Sequence, residues 1–244
     1  MKIETVRIPE DSGALAGLFY TPDSDHRPLA LVLAHGFTSG KYSMDHLAGY
    51  LASRGYECLT FDFVGHKLGA SEGRMERVEQ VAENMRDALA WLRTHTRAER
   101  VVLGGHSMGA AATLQTAAWD RQSPPSGPPL AGLICICMGR EPARSFDSAL
   151  GQAMLAQRSD YVTGAPALEL LTGLNTLVLS AQEVGPLPAL FLAARQDVLV
   201  SIARVEELAA LVGPHAIVTV LDATHLDAPD RARGPVANWL QGLR

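Results

Sequence analysis

What most limits the folds open to this chain is a rhythm. Six short apolar runs, at 29–34, 57–63, 101–105, 130–138, 187–194 and 216–221, alternate with stretches of helical period. A strand that is apolar throughout is buried on both faces, as in a parallel sheet covered by helices on each side. The intervening stretches can supply those covers. Residues 78–93 set Val81, Met85, Leu89 and Leu92 in one stripe with charges opposite, and 44–54 carry Leu47 and Leu51 one turn apart. Segments 205–211 and 236–243 are the last two helical stretches. Ahead of the runs, 2–8 and 14–20 alternate polar and apolar residues around Pro9-Glu-Asp-Ser-Gly13, the pattern of an edge hairpin. Alternation over the whole length predicts one doubly wound α/β domain, 1–244, with the proline-rich piece 123–129 as a surface loop.

One region departs from the rhythm. Between 139 and 185 two further helical segments, 144–158 and 166–174, precede the next apolar run. An insertion of that length over a sheet is often a cap or lid, with an ordinary pair of packing helices as the alternative. The same apolar helix pair also suits contact with a second copy of the chain, a homo-oligomer through the cap region.

Composition narrows the function classes. Hydrophobic residues make up 47% and charged residues 19%, a globular balance, and the net charge of −5 gives no basic footprint for nucleic acid or anionic lipid. The N-terminal segment lacks the apolar core of a signal peptide, and the longest apolar run is too short to span a bilayer. Three cysteines do not make a disulfide framework. Cys135 and Cys137, two apart in a strand, should share one buried face, and no second Cys or His cluster is near enough to suggest a metal pair. The expectation is a soluble, reduced, cytoplasmic protein with no cofactor, no metal and no membrane anchor.

The chemistry concentrates where the run at 101–105 meets an alanine-rich helix, at Gly105-His106-Ser107-Met108-Gly109. Glycine on both sides of a serine between strand and helix is the nucleophile-elbow pattern. The turn is strained and crowded, so Gly105 and Gly109 leave room, and the serine stands at a helix N-terminus where free N–H groups favour developing negative charge. A serine hydroxyl needs a base. Of eight histidines, His106 flanks the serine and is expected to point away. His35 ends a strand, His26, His46 and His95 fall in polar loops or on helix surfaces, and His215 precedes a strand. His225 follows the run 216–221 at the strand end where α/β sheets bind ligands. The acid that orients it is expected to be Asp197, in the turn after 187–194, with Glu141 as the main rival and Asp222 and Asp227 less well placed. Two backbone donors complete the set: Met108, next after the serine, and Phe37, whose loop His35-Gly-Phe-Thr-Ser-Gly40 can swing on Gly36.

With His35-Gly-Phe37, Gly105-His-Ser-Met-Gly109, Asp197 and Ala223-Thr-His225 in place, the chain resembles the α/β-hydrolase superfamily over essentially its whole length. Within it, His35–Gly40 and Phe61-Asp-Phe-Val-Gly-His-Lys-Leu-Gly-Ala-Ser-Glu-Gly73 are similar to small bacterial serine esterases of the feruloyl-esterase and monoacylglycerol-lipase-like type. The resemblance implies a mostly parallel eight-stranded sheet with helices on both faces, a small helical cap, and a cofactor-free acyl-enzyme mechanism on a small-molecule ester of short or medium acyl length. A thioesterase, an amidase or peptidase, and a ligand-binding protein that has lost catalysis are the alternatives on the same fold. Two departures stand out. Lys67 and Leu68 lengthen the loop that usually reads Asp-x-x-Gly-His-Gly-x-Ser. Met108 replaces the glutamine associated with feruloyl esterases and hints at an apolar acyl pocket.

Overall fold

The computed structural model describes residues 1–10, 13–123 and 127–243. The connection at 11–12 and part of the proline-rich stretch, 124–126, lie outside the described residues. Eight strands form one sheet: β1 (Lys2–Glu10), β2 (Gly13–Thr21), β3 (Leu29–Ala34), β4 (Glu57–Phe61), β5 (Arg100–His106), β6 (Leu130–Ile136), β7 (Ala189–Ala194) and β8 (Ala216–Leu221). Their order is β1-β2-β4-β3-β5-β6-β7-β8. The first two strands pair as an antiparallel hairpin at one edge, β2 joins β4 antiparallel, and every pairing from β4 to β8 is parallel. This is the α/β-hydrolase sheet.

The apolar runs become central strands because each face meets a different helix layer. In β3, Ala30, Val32 and Ala34 face one core with the helices α2 (Gln80–His95), α3 (Met108–Gln122) and α6 (Ile202–Val212). Leu29, Leu31 and Leu33 face a second core with α1 (Asp45–Ala52) and α8 (Arg233–Gly242). Side chains alternate with a period of two, so one six-residue run seals both layers. The run at 216–221 behaves differently. As β8 it closes the sheet, and Ile217 and Val220 remain exposed because an edge strand has a neighbour on one side only. Helix α3 follows β5 directly, and its alanines allow the close approach that buries most of its circumference against α2 and the sheet. A half-buried, two-pronged ion pair from Arg93 to Asp120, at 2.6 and 3.0 Å, ties α2 to α3.

Between β6 and β7 the chain runs through α4 (Ala149–Arg158) and α5 (Ala167–Leu177), with short 3₁₀ turns at Pro142–Phe146, Ser159–Tyr161 and Val178–Gln182. The middle of this insertion is stitched to the loop after β4. Lys67 N–H donates to the Tyr161 carbonyl, Thr163 N–H to Gly65, Met75 N–H to Thr163 and Ala165 N–H to Met75, all within 2.9 Å. The lengthened β4 loop therefore braces the insertion from outside. Its base is the buried pair of Lys41 and Asp62, 2.5 Å apart, whose carboxylate also accepts from the amides of Lys41 and Ala70. Among the described residues no helix is long and apolar enough to cross a membrane.

Candidate active site

Five loops leave the C-terminal edge of the parallel strands side by side, after β3, β5, β6, β7 and β8. At such an edge the strand ends and free helix N-termini converge, which is where α/β sheets hold ligands. Ser107 leaves β5 with φ 50° and ψ −118°, a conformation few non-glycine residues accept and one that costs on the order of 1–3 kcal/mol. Its N–H is tied to the Ile136 carbonyl at 2.8 Å, while its hydroxyl makes no cap bond to α3. The flanking glycines are required by space. A Cβ on Gly105 would fall 2.2 Å from the Gly109 carbonyl carbon, and one on Gly109 would fall 2.4 Å from the Ala34 carbonyl oxygen. Both contacts are with backbone and cannot be relieved by a rotamer change. Gly105→Ala should accordingly lose about 3 kcal/mol or more of stability, read from the urea midpoint; a midpoint within about 0.5 kcal/mol of wild type would contradict this packing.

After β7, Asp197 turns back beneath β8. Its Oδ1 accepts from the amides of Leu199 (2.8 Å) and Val200 (2.9 Å), and its Oδ2 accepts from His225 Nδ1 at 2.7 Å. The carboxylate has no solvent contact. Burial alone would raise its pKa. The His225 hydrogen bond and charge, with the Val200 and Leu199 amides, outweigh burial and hold the carboxyl below the ordinary carboxylate range. An ionised Asp197 fixes His225 as the Nδ1–H tautomer and leaves Nε2 as the basic nitrogen. The rival acids are engaged elsewhere. Glu141 is exposed and pairs with Arg144 at 2.9 Å, Asp222 accepts from Gln196, and Asp227 accepts from Thr224 at the start of α7 (Ala228–Arg231).

His106 does not point away from the site. It is buried, its ring centroid lies 4.8 Å from that of His225, and its Nε2–H donates to the His225 carbonyl at 2.8 Å. Its Nδ1 would be 2.9 Å from a Cβ on Gly36, so that glycine lets the β3 loop pass. Burial, with the neighbouring His225, pushes the His106 pKa down to about 3. It is a neutral strut under the histidine loop, and sequence gave only its adjacency to Ser107 as a signal. Cys137 is a second unforeseen neighbour. The strand ends at Ile136, and Cys137 turns to φ 51°, so it faces the α1 layer while Cys135 faces α3. The shared-face expectation fails because it assumed that the strand continues. Burial and the Asp197 carboxylate push the Cys137 thiol up, and all three cysteines are free and buried.

Ser107 and His225 open into one cavity of about 150 Å³. Phe37 and Thr38 of the β3 loop wall one side; Phe146, Met154, Leu155, Leu171 and Leu174 of the insertion wall another. The Phe37 N–H, in the loop, and the Met108 N–H, at the first turn of α3, have no acceptor among the described residues. Met108 itself points into the core and does not line the cavity, so the apolar lining comes from the insertion and not from this side chain. No residue of the lengthened β4 loop lines the cavity; His66 of that loop packs behind Phe37, ring centroids 5.9 Å apart.

Strand order, elbow and strand-end loops together define an α/β hydrolase. The family model described as serine aminopeptidase, S33, matches residues 25–160, more than half of the chain, and the protein belongs to that family. Solved structures agree on the fold. An esterase of Pyrococcus furiosus superposes with a TM-score of 0.74 at 19% identity, covering 99% of this chain and 91% of that one. A carboxyl esterase of Bacillus coagulans, solved with glycerol, gives 0.74 at 16% identity over 100% and 99%. A hyperthermophilic esterase of Pyrobaculum calidifontis gives 0.74 at 18% over 99% and 85%. At these identities the likeness is one of fold. Among curated proteins no relative matches the chain.

Proposed function

We propose that the protein is a serine carboxylic-ester hydrolase for short to medium acyl groups, acting through an acyl-enzyme. The observation that carries this reading is the strained Ser107 sharing one small apolar cavity with a histidine held by a buried, ionised Asp197. In the proposed sequence His225 Nε2 takes the Ser107 proton as Oγ attacks the ester carbonyl. The carbonyl oxygen becomes an oxyanion held by the Phe37 and Met108 N–H groups, each worth roughly 3 kcal/mol of barrier. His225 then protonates the departing alcohol, and the same residues in reverse admit water and release the acid.

Cavity size supports the acyl assignment. About 150 Å³ of apolar space accommodates a group the size of a benzene ring. The insertion 139–185 serves as the cap that closes this space, and its backbone pinning to the β4 loop favours a fixed wall over a wide-opening lid. The family's description raises amide cleavage at a free amino terminus as a second reading. Against it, among the described residues no Asp or Glu lines the cavity to pair with a substrate ammonium, and the charged side chain there is a cation, Arg158. Hydrolysis of p-nitrophenyl esters from acetate to laurate, beside matched thioesters and aminoacyl anilides, tests the choice. Turnover should peak at or below about six acyl carbons, and Met154→Ala with Leu155→Ala should move the peak to longer chains. Anilide turnover exceeding ester turnover would overturn the ester reading.

A further inference from the structure

Arg158 is the last residue of α4 and lies in the wall of a mostly apolar cavity. Its guanidinium sits 5.6 Å over the Tyr161 ring, and Nη1 is 3.5 Å from Thr38 Oγ1, a marginal contact. No carboxylate pairs with it among the described residues. A half-buried cation without a counter-ion is unfavourable unless something else supplies the negative charge. Thr38 is the residue after Phe37, so the guanidinium stands one residue from the amide expected to hold the oxyanion. Its partner would therefore reach it from the reacting carbonyl across a short spacer.

A second basic group backs the same cavity. Arg204 of α6 donates through Nη1 to Ser145 Oγ at 3.3 Å, and its buried Nη2 has no partner. Ser145 lines the cavity. Accepting from Arg204 leaves its own O–H free to donate. A cation, a hydroxyl donor and the absence of any lining carboxylate give the cavity a preference for negative charge set among apolar walls.

We propose that Arg158 is a specificity-determining residue that binds a carboxylate carried by the acyl group, so that the preferred substrates are half-esters of short dicarboxylic acids. This rests on the ester-hydrolase reading above, and two separate measurements keep the failures apart. The first compares p-nitrophenyl valerate with mono-p-nitrophenyl glutarate, which differ by a methyl against a carboxylate at the chain end. The wild type should favour the glutarate about tenfold or more in kcat/KM. Arg158→Met should lower the glutarate-to-valerate ratio about 10- to 100-fold, the range expected for a charge-assisted contact, with Arg158→Lys recovering part of it. A wild-type ratio at or below one, or a ratio unmoved in both variants, would overturn the proposal.

The second needs no turnover. Glutarate dianion should raise the Tm of wild-type protein, and the rise should disappear in Arg158→Met while sodium chloride at equal ionic strength gives none. Protection that persists in Arg158→Met places the anion elsewhere and overturns the proposal. Arg158-dependent protection in a protein that cleaves neither ester supports the anion site and overturns the ester reading alone.

Discussion

Ser107→Ala should lower kcat on p-nitrophenyl butyrate about 10⁶-fold and leave the Tm within a degree or two of wild type. The size follows from the cooperation of the group. Once the nucleophile is gone, the base and its acid have nothing to activate, and only the oxyanion donors and substrate binding remain. Stability should hold because the Ser107 hydroxyl caps no helix, and the backbone strain at φ 50° is nearly the same for alanine. Asp197→Asn makes a graded companion. It keeps the shape but removes the charge that fixes His225 as the Nδ1–H tautomer, and should cost about 10⁴-fold. Its buried site, with two backbone donors aimed at Oδ1, should also make it less stable than wild type, unlike Ser107→Ala. The measurement is steady-state kinetics with fluorophosphonate titration of active serine, so that trace wild type is counted. Retention of more than about 1% of turnover in Ser107→Ala would remove Ser107 as nucleophile.

Stability should fall steeply between pH 6.5 and 5. Three buried histidines, His35, His66 and His106, surround the β3 loop and the elbow, and burial pushes their pKa values down to about 4, 3 and 3. Burial holds all three neutral, against one backbone carbonyl contact each that favours the charged ring. His35 donates through Nδ1 to Gly36 and accepts through Nε2 from the Phe63 amide; His66 donates to Val64 and leaves a buried Nε2 unpartnered. Unfolded, each histidine titrates near 6.5, so below that pH the unfolded chain takes up protons that the folded chain refuses. The stabilising preference for the folded state is complete above pH 6.5 and is lost as pH falls toward the folded values. Each site contributes about 1.4 kcal/mol per pH unit, and at pH 5 the three together amount to about 6 kcal/mol, comparable to the whole stability of many domains. Urea midpoints at pH 7.5 and pH 5 read this directly. Replacing His66 with asparagine should flatten the profile by about a third. A wild-type midpoint that does not move over that range would show that these rings are hydrated in solution. Asp197 has the same sign in a lower window: its contribution is present above the ordinary carboxylate range and is lost as pH drops through its depressed value.

Much of the site was legible in advance because it follows from local rules. A strand–glycine–serine–glycine–helix junction leaves few conformations open, and the crowding at Gly105 and Gly109 is local backbone geometry. Strand ends and chain order favour Asp197 over Glu141, and the two residues part ways in the structure, Asp197 bonded to His225 and Glu141 exposed on Arg144. Two local rules fall short here. Pleat alternation, applied to Cys135 and Cys137, stops where the strand stops at Ile136. Adjacency to Ser107 does not say where His106 and Met108 point: His106 turns under the histidine loop, and the first turn of α3 sends Met108 into the core.

Periodicity and glycine spacing in the sequence determined the sheet, its two helix layers and the order of the residues at its C-terminal edge, because burial on two faces and a crowded turn are properties of short stretches of chain. Only the tertiary structure decided what surrounds Ser107. The volume of the cavity, the neutral histidines under the loops, the pinning of the insertion by the β4 loop and the lone cation of Arg158 all depend on segments far apart in sequence. Such contacts are set by how layers pack, and no local pattern records them.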